Sequence, residues 1–274
     1  MTPHALAALA QEAAEAAGAL IRENRPERVQ VADTKSSPTD VVTEMDRAAE
    51  RCIRDVLLGA RPADGLLGEE TGLTPGSTGL TWVVDPIDGT INYLYGIPAY
   101  AVSVAVVEGD PRIPGGWTSL AGCVLDVGSG EIWTASRGGG AWVDGRPVAG
   151  PAPPELGLAL IGTGFGYRED RRRSQARVVA ALLPRVRDVR RFGSAALDLC
   201  WVAGGRLDGF YERGVNSWDI AAGILVAAEA GVDVRGLRGA PPGPAMLVAA
   251  RPPLADVLVE ELEGLGADSD DARP

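Results

Sequence analysis

The sequence predicts a mixed α+β / α/β fold: a first half built on a mostly antiparallel sheet, and a second half in which strands and helices alternate. Three observations carry this. Residues 80–143 break into short apolar runs divided by Gly, Pro and Asp, the signature of a strand meander. From residue 158 onward, short apolar runs alternate with segments of helical period, as in an α/β layer. The 274 residues are 46% hydrophobic and 23% charged, which leaves room for a sizeable core and argues against disorder.

The first half begins with helices. Leu6, Leu9, Ala13, Ala16, Leu20 and Ile21 recur at helical spacing and predict a helix over residues 5–24, ended by Pro26. Lys35 to Asp40 is a polar turn. A second helix is expected over 41–59, with Met45, Ala49, Cys52, Ile53, Val56 and Leu57 inward and Gly59 and Pro62 as stops. Thr81 to Val84 reads as a buried strand, and Ala101 to Val107, Ala121 to Asp126, Glu131 to Ala135 and Ala141 to Val143 complete the meander. Gly138 to Gly140 and Asp144-Gly145 are turns. The Pro-rich stretch Pro147 to Pro154 marks a boundary, so residues 1–146 form one half and 147–266 the other.

In the second half, Leu158 to Ile161, Asp188 to Arg191, Gly209 to Glu212 and Met246 to Ala250 are expected strands. Residues 172–183, Ala195 to Ala203, Asp219 to Ala230 and Leu254 to Leu265 are expected helices. The acidic tail, Ala267 to Pro274, reads as disordered.

Charge and rare residues exclude several chemistries. With 26 basic against 37 acidic side chains the net charge is −11, the wrong sign for a general nucleic-acid coat. The sole histidine, His4, sits in a terminus expected to fray, which removes Ser-His-Asp and Cys-His triads and His-rich zinc sites. Cys52, Cys123 and Cys200 show neither metal spacing nor a disulfide framework, and a reducing, cytoplasmic setting fits them. No run reaches the about 18 apolar residues of a membrane span. Glu12 and Glu15 interrupt the Ala-rich N-terminus, which does not read as a signal peptide.

Acids carry the remaining chemistry. Gly68-Glu69-Glu70-Thr71-Gly72, Asp85-Pro86-Ile87-Asp88-Gly89-Thr90 and Ser217-Trp218-Asp219 each put carboxylates beside a strand or helix end. In the second cluster a strand end is a rigid platform and Pro86 restricts the loop. Asp85, Asp88 and the Ile87 carbonyl can therefore converge, an all-oxygen set suited to a hard cation such as Mg²⁺. Gly89-Thr90 opens a helical turn whose N–H groups and hydroxyl could hold a phosphate. Each acid alone has a plainer reading: Asp85 as a turn residue, Glu69-Glu70 as a solvated pair, Asp219 as a helix cap. From the residues alone, the metal reading and the structural one are evenly matched.

Longer segments carry a resemblance. Gly68-Glu69-Glu70, Trp82-Val83-Val84-Asp85-Pro86-Ile87-Asp88-Gly89-Thr90-Ile91-Asn92-Tyr93, and Trp218-Asp219-Ile220-Ala221-Ala222-Gly223 to Glu229-Ala230-Gly231 resemble the signature motifs of the inositol monophosphatase family. Lys35 to Asp40 with Thr43-Glu44-Met45-Asp46 is similar to its N-terminal pattern, and the likeness spans residues 5–265 in order. The resemblance implies a layered αβαβα fold, a homodimer, and hydrolysis of a small phosphorylated polyol with two or three Mg²⁺ ions. Residue by residue it implies metal ligation by Glu69, Asp85 (between two metals), the Ile87 carbonyl, Asp88 and Asp219. It implies phosphate at Gly89 and Thr90, Asp46 paired with the Thr90 hydroxyl, and Glu69 helping to deprotonate the attacking water. Lys35 and Asp40 match further active-site positions, and Asp88, Gly193, Ser194, Ala195 and Glu212 fall beside the alcohol hydroxyls.

This chemistry is coherent. A phosphate monoester is a dianion that bare carboxylates would repel, and divalent ions invert the local sign. In-line displacement then needs no nucleophilic side chain. Among substrates, inositol 1-phosphate ranks first because Glu212 and Gly193-Ser194-Ala195 match that branch of the family. Histidinol phosphate, fructose 1,6-bisphosphate and 3′-phosphoadenosine nucleotides are the alternatives within the superfamily. A non-catalytic sugar-phosphate-binding regulator is the alternative of another class, disfavoured because Glu69, Asp46, Thr90 and both loop aspartates are present. Three departures stand out: Val232 where a second glycine is usual, Tyr93 where phenylalanine is common, and a Gly164 to Arg168 loop without the serine of some inositol-specific members. Arg168 to Arg173 reads as a self-paired helix start, or more sharply as a basic rim that steers anions.

Overall fold

The computed structural model describes residues 1–35 and 41–270. The first helix, α1 (Pro3–Glu23), starts where the Thr2 hydroxyl accepts from the Ala5 N–H. His4 lies exposed in its first turn rather than in a frayed end. The inner face of α1 is mainly alanine, with Ala10, Ala13, Ala14 and Ala17 fully buried, so the helix sits close on the sheet beneath it. A two-residue pair, β1 (Asp33–Thr34) with β2 (Val41–Val42), precedes α2 (Glu44–Ala60).

The meander is an eight-stranded sheet. Its strands are β3 (Gly65–Gly68), β4 (Gly72–Thr74), β5 (Leu80–Asp88), β6 (Ala101–Gly109), β7 (Trp117–Asp126), β8 (Ile132–Ser136), β9 (Ala141–Val143) and β10 (Arg146–Pro147), in the order β10-β9-β8-β7-β6-β5-β3-β4. Only the β3–β5 pair is parallel. The sequence signal missed β3 and β4, because Gly-Leu-Leu-Gly and Gly-Leu-Thr are too short and glycine-rich to show a period. A short helix, α3 (Thr90–Tyr95), leaves the end of β5.

The second sheet has five strands: β11 (Leu160–Thr163), β12 (Asp188–Arg190), β13 (Gly209–Glu212), β14 (Asp233–Arg235) and β15 (Leu247–Ala250), in the order β12-β11-β13-β15-β14. β11 runs parallel to both of its neighbours, while β15 is antiparallel to β13 and β14. Its helices are α4 (Glu169–Leu182), α5 (Ala195–Gly204), α6 (Ser217–Glu229) and α7 (Leu254–Gly264).

Strand alternation makes the layers. Trp82 and Val84 face α1 and α2, while Val83 faces α5 and α6. The far sides of α5 and α6 (Leu199, Val202, Ile220, Ala227) pack on Phe210, Leu247 and Ala249 of the second sheet. The opposite face of that sheet (Ile161, Tyr211, Val248) is covered by Val178 and Leu182 of α4 and by Leu254, Leu258 and Leu262 of α7. The result is the layered αβαβα fold, with α5 and α6 as the shared middle layer.

The second helix starts at Glu44 rather than 41, since Val41–Val42 form β2, and two further expectations need correction. β5 does not end at Val84: it continues to Asp88, and between Asp85 and Asp88 its register against β6 slips by one residue. Pro86 has no N–H to give a ladder, and a bulge is where a strand tolerates that. The tail is not disordered over Ala267 to Asp270. Ala267 is buried, its N–H is bonded to the Leu262 carbonyl, and Asp268 and Asp270 pair with Arg238 and Arg213. Residues 271–274, and Asp40 with the rest of 36–40, lie outside the described residues.

Candidate active site

A cleft of about 360 Å³ opens where β5, α3, the β3–β4 turn and the N-termini of α5 and α6 meet. Lys35, Glu69, Asp85, Ile87, Asp88, Gly89, Thr90, Gly193, Ala195, Glu212 and Asp219 all line it. A larger depression of about 930 Å³, between α4, α7 and the C-terminal turn, adjoins the cleft at Arg213.

Each acid is placed by a local device. Asp46 and Asp219 are both third residues of their helices, in reciprocal capping boxes with Thr43 and Asn216. Asp46 Oδ2 accepts from the Thr43 N–H at 2.7 Å, and Asp219 Oδ2 from the Asn216 N–H at 2.6 Å. Asp85 Oδ1 accepts from the Ile87 N–H at 3.0 Å across the bulge. Asp88 Oδ2 accepts from the Ser194 hydroxyl at 2.6 Å and the Ala196 N–H at 2.7 Å, which ties β5 to the start of α5.

The Thr90 hydroxyl has two acceptors in reach, Asp46 Oδ1 at 3.2 Å and the Ile87 carbonyl at 3.1 Å, and its single proton serves one at a time. The Lys35 ammonium bridges Glu69 at 2.8 Å and Glu70 at 2.5 Å. Gly89 has φ +103°, a conformation that favours glycine, and the carbonyls of Ala99 and Gly193 crowd the space a side chain would need.

The electrostatics follow from packing acids together. Asp85 and Asp219 are pushed well above the carboxylate range, first by burial; Glu69, Asp88 and Asp219 add to it at Asp85, and Asp88, Glu69 and Glu212 at Asp219, where the Asn216 N–H pulls the other way. Burial also raises Glu69 despite the opposing pull of Lys35, and Asp85 shares a hydrogen bond with Glu69. Burial moves Asp46 to about 6 and Glu212 to about 7; Thr43 restrains the first and Arg191 the second. Burial works against the Lys35 charge, but Glu69 and Glu70 outweigh it and hold the ammonium protonated.

The donor set fits a hard divalent cation. Every candidate donor is oxygen, and the raised carboxyls mark a place where positive charge is wanted. Among the described residues, no three acidic, histidine or cysteine side chains are already gathered at a metal-holding geometry. Asp85, Asp88 and Asp219 each spend an oxygen on an internal donor instead, the arrangement that mutual repulsion favours.

Of the sequence-predicted residues, Ser194 differs most from expectation. It is 1% exposed, donates to Asp88 and accepts from the Leu197 N–H, so its hydroxyl caps α5 and braces Asp88 rather than facing the cleft. Ala195 and Gly193 do reach the wall.

Sequence reasoning missed several supports. Buried Glu50 accepts from the N–H groups of Glu70 (2.8 Å) and Thr71 (3.0 Å) and fixes the turn that presents Glu69. Asn92 donates to the Ala99 and Phe192 carbonyls and joins α3 to the Gly193 loop. Asp198 is buried near Glu212 and Asp88 with both oxygens unpartnered; burial and those neighbours push its carboxyl well above the usual range. Nothing in Leu197-Asp198-Leu199 distinguishes it from an ordinary helix acid.

A family model described as the inositol monophosphatase family matches residues 3–267. The chain belongs to the inositol monophosphatase family. A Mycobacterium tuberculosis relative described as inositol-1-monophosphatase SuhB is 45% identical over 95% of this chain and 94% of its own. An inositol-1-monophosphatase of Mycobacterium leprae is 48% identical over 84% of this chain and 80% of its own. Two solved structures agree in fold. Mycobacterium tuberculosis SuhB has a TM-score of 0.81 at 43% identity, covering 98% of this chain and 99% of that one. The extragenic suppressor protein suhB of Bartonella henselae has a TM-score of 0.85 at 34% identity, covering 94% and 98%. Membership of the inositol monophosphatase family thus extends over nearly the whole chain, both sheets included.

Proposed function

We propose that the chain is a Mg²⁺-dependent phosphomonoester hydrolase whose substrate is inositol 1-phosphate. One observation carries the reading furthest: Glu69, Asp85, Asp88, Asp219 and the Ile87 residue line one cleft with Gly89 and Thr90. Glu69, Asp85, the Ile87 carbonyl, Asp88 and Asp219 would hold two or three Mg²⁺ ions. Those ions would supply positive charge for the phosphate dianion and acidity to an attacking water. The chain's own groups do the rest. Gly89 and Thr90 N–H groups face the anion. Asp46 accepts the Thr90 hydrogen bond, which leaves the Thr90 oxygen free to accept one hydrogen bond from the attacking water, and Glu69 would take that water's other proton. Lys35 offsets the repulsion between Glu69 and Glu70. Asp88, Gly193, Ala195 and Glu212 border the alcohol, with Ser194 acting through Asp88.

Family likeness further supports a homodimer, which light scattering tests as about twice the 28.4 kDa chain mass. The free cysteines suit a reducing, cytoplasmic compartment. Among the described residues no helix is long and apolar enough to cross a membrane.

The experiment is phosphate release at fixed Mg²⁺ from inositol 1-phosphate, histidinol phosphate, fructose 1,6-bisphosphate and adenosine 3′,5′-bisphosphate, each with and without EDTA. Inositol 1-phosphate is expected to give the highest kcat/KM, and EDTA to abolish release. A large preference for histidinol phosphate would overturn the substrate.

A further inference from the structure

Two buried serines tie the first sheet to the start of α6. Ser103 of β6 is fully buried and donates to the Trp218 carbonyl at 3.2 Å. Ser119 of β7, also buried, donates to the Ala221 carbonyl at 2.7 Å. The two carbonyls lie three residues apart, on one side of the helix, and bracket Asp219 in sequence. Within an α-helix each already accepts from the N–H four residues on, so neither needs a serine to be satisfied. The serine bonds are therefore not required to form α6; they act on where it lies.

The sheet is shaped for close seating. Along β6, Ala101, Ser103 and Ala105 alternate toward the middle layer, all of them small and fully buried. On β7 a slip of register between Val106 and Val107 leaves Leu120 unopposed, and Ser119 and Gly122 both reach α6. A Cβ on Gly122 would stand 3.1 Å from the Ala222 Cα and press on the helix.

Ser103 also has a fixed place relative to the acids. It stands directly opposite Asp85 in the β5–β6 register, so both side chains project from the face of the sheet that α6 covers. One hydroxyl thus links the strand pair that carries Asp85 to the residue before Asp219. The two carboxyls are near enough to repel each other, so something must hold α6 in place against that repulsion.

We propose that Ser103 is a positioning residue of the active site: through the Trp218 carbonyl it sets where Asp219 stands relative to Asp85, and so how tightly the acids hold a divalent ion. This rests on the metal reading above and adds to it the group that fixes its geometry.

The test measures Mn²⁺ binding by calorimetry, with substrate absent, on wild type, Ser103→Ala and Val106→Ala. Val106 is buried on the opposite face of β6, in the core beneath α1 and α2, so its truncation destabilises the fold without touching α6. Ser103→Ala is expected to raise the Mn²⁺ Kd roughly three- to tenfold, the scale of one buried hydrogen bond. Val106→Ala should stay within about twofold of wild type. In steady state the half-saturating Mg²⁺ should rise with the Kd in Ser103→Ala, while KM for inositol 1-phosphate at saturating Mg²⁺ is unchanged. An unchanged Kd in Ser103→Ala, or an equal rise in Val106→Ala, would overturn the proposal. Should the wild type bind no Mn²⁺, the metal reading fails, and amide hydrogen exchange on the metal-free proteins decides the seating. Faster exchange at residues 221–223 in Ser103→Ala than in Val106→Ala supports it, and equal exchange refutes it.

Discussion

Asp85 concentrates the account. It is 2% exposed, braced by the Ile87 N–H, and surrounded by three further acids. Asparagine keeps its shape and removes its charge. Asp85→Asn is expected to cut kcat roughly a thousandfold or more, as loss of a metal-held centre does. The same change should raise the melting temperature of the metal-free protein, because one of four mutually repelling carboxyls is gone. Hydrolysis within tenfold of wild type would refute the assignment. Thr90 gives a second reading at this scale. Thr90→Val keeps the volume but loses the bond to Asp46, whereas Thr90→Ser keeps it. Steady-state rates should fall sharply for valine and recover most of the way for serine; equal losses would place the role of Thr90 in packing.

At the scale of elements, the site depends on where strands and helices end. Gly68 closes β3 directly against the Glu50 carboxylate, and a Cβ there would run into it. Gly68→Ala should therefore displace Glu50 from the Glu70 and Thr71 amides, cost about 1–3 kcal/mol by denaturant titration, and impair Mg²⁺ dependence. Unchanged stability and unchanged Mg²⁺ response would show that the turn is not held this way. Helices with clear apolar periods, such as α1 and α6, were legible to within a few residues, and β13 to its ends. β3 and β4 were not, since they are stabilised by neighbours rather than by their own pattern. Nor was the bulge: Asp-Pro reads as a turn in isolation, and only the register against β6 makes it part of a strand. The acids that line the cleft were legible because motifs named them. Two braces, Glu50 and Asn92, reach 20 and 100 residues along the chain and left no local signal, and Ser194, which the motif did name, braces Asp88 across 106.

For the whole molecule, pH is the informative variable. In the metal-free fold Asp46 keeps its proton to about 6 and Glu212 to about 7, and burial moves Asp85, Asp219 and Asp198 the same way. Unfolded carboxyls lose theirs near about 4. Between those limits the native state binds more protons, so stability falls as pH rises. The metal-free Tm is expected to drop by several degrees from pH 5 to pH 7.5, and Mg²⁺ to restore more at the higher pH, where the carboxylates are free to bind it. A flat or rising profile would contradict the crowding of acids. The αβαβα layering makes that crowding possible, because the middle helices α5 and α6 bring Asp219 and the Gly193 loop to the end of β5.

The most direct test of the central claim is a crystal of the protein grown with Mn²⁺ and measured at the manganese absorption edge. Anomalous peaks in direct contact with Glu69, Asp85, the Ile87 carbonyl, Asp88 and Asp219, with Asp85 touching more than one, are the expected result. An active protein whose crystals bind the ion only elsewhere, with these carboxylates left on their internal donors, would contradict it.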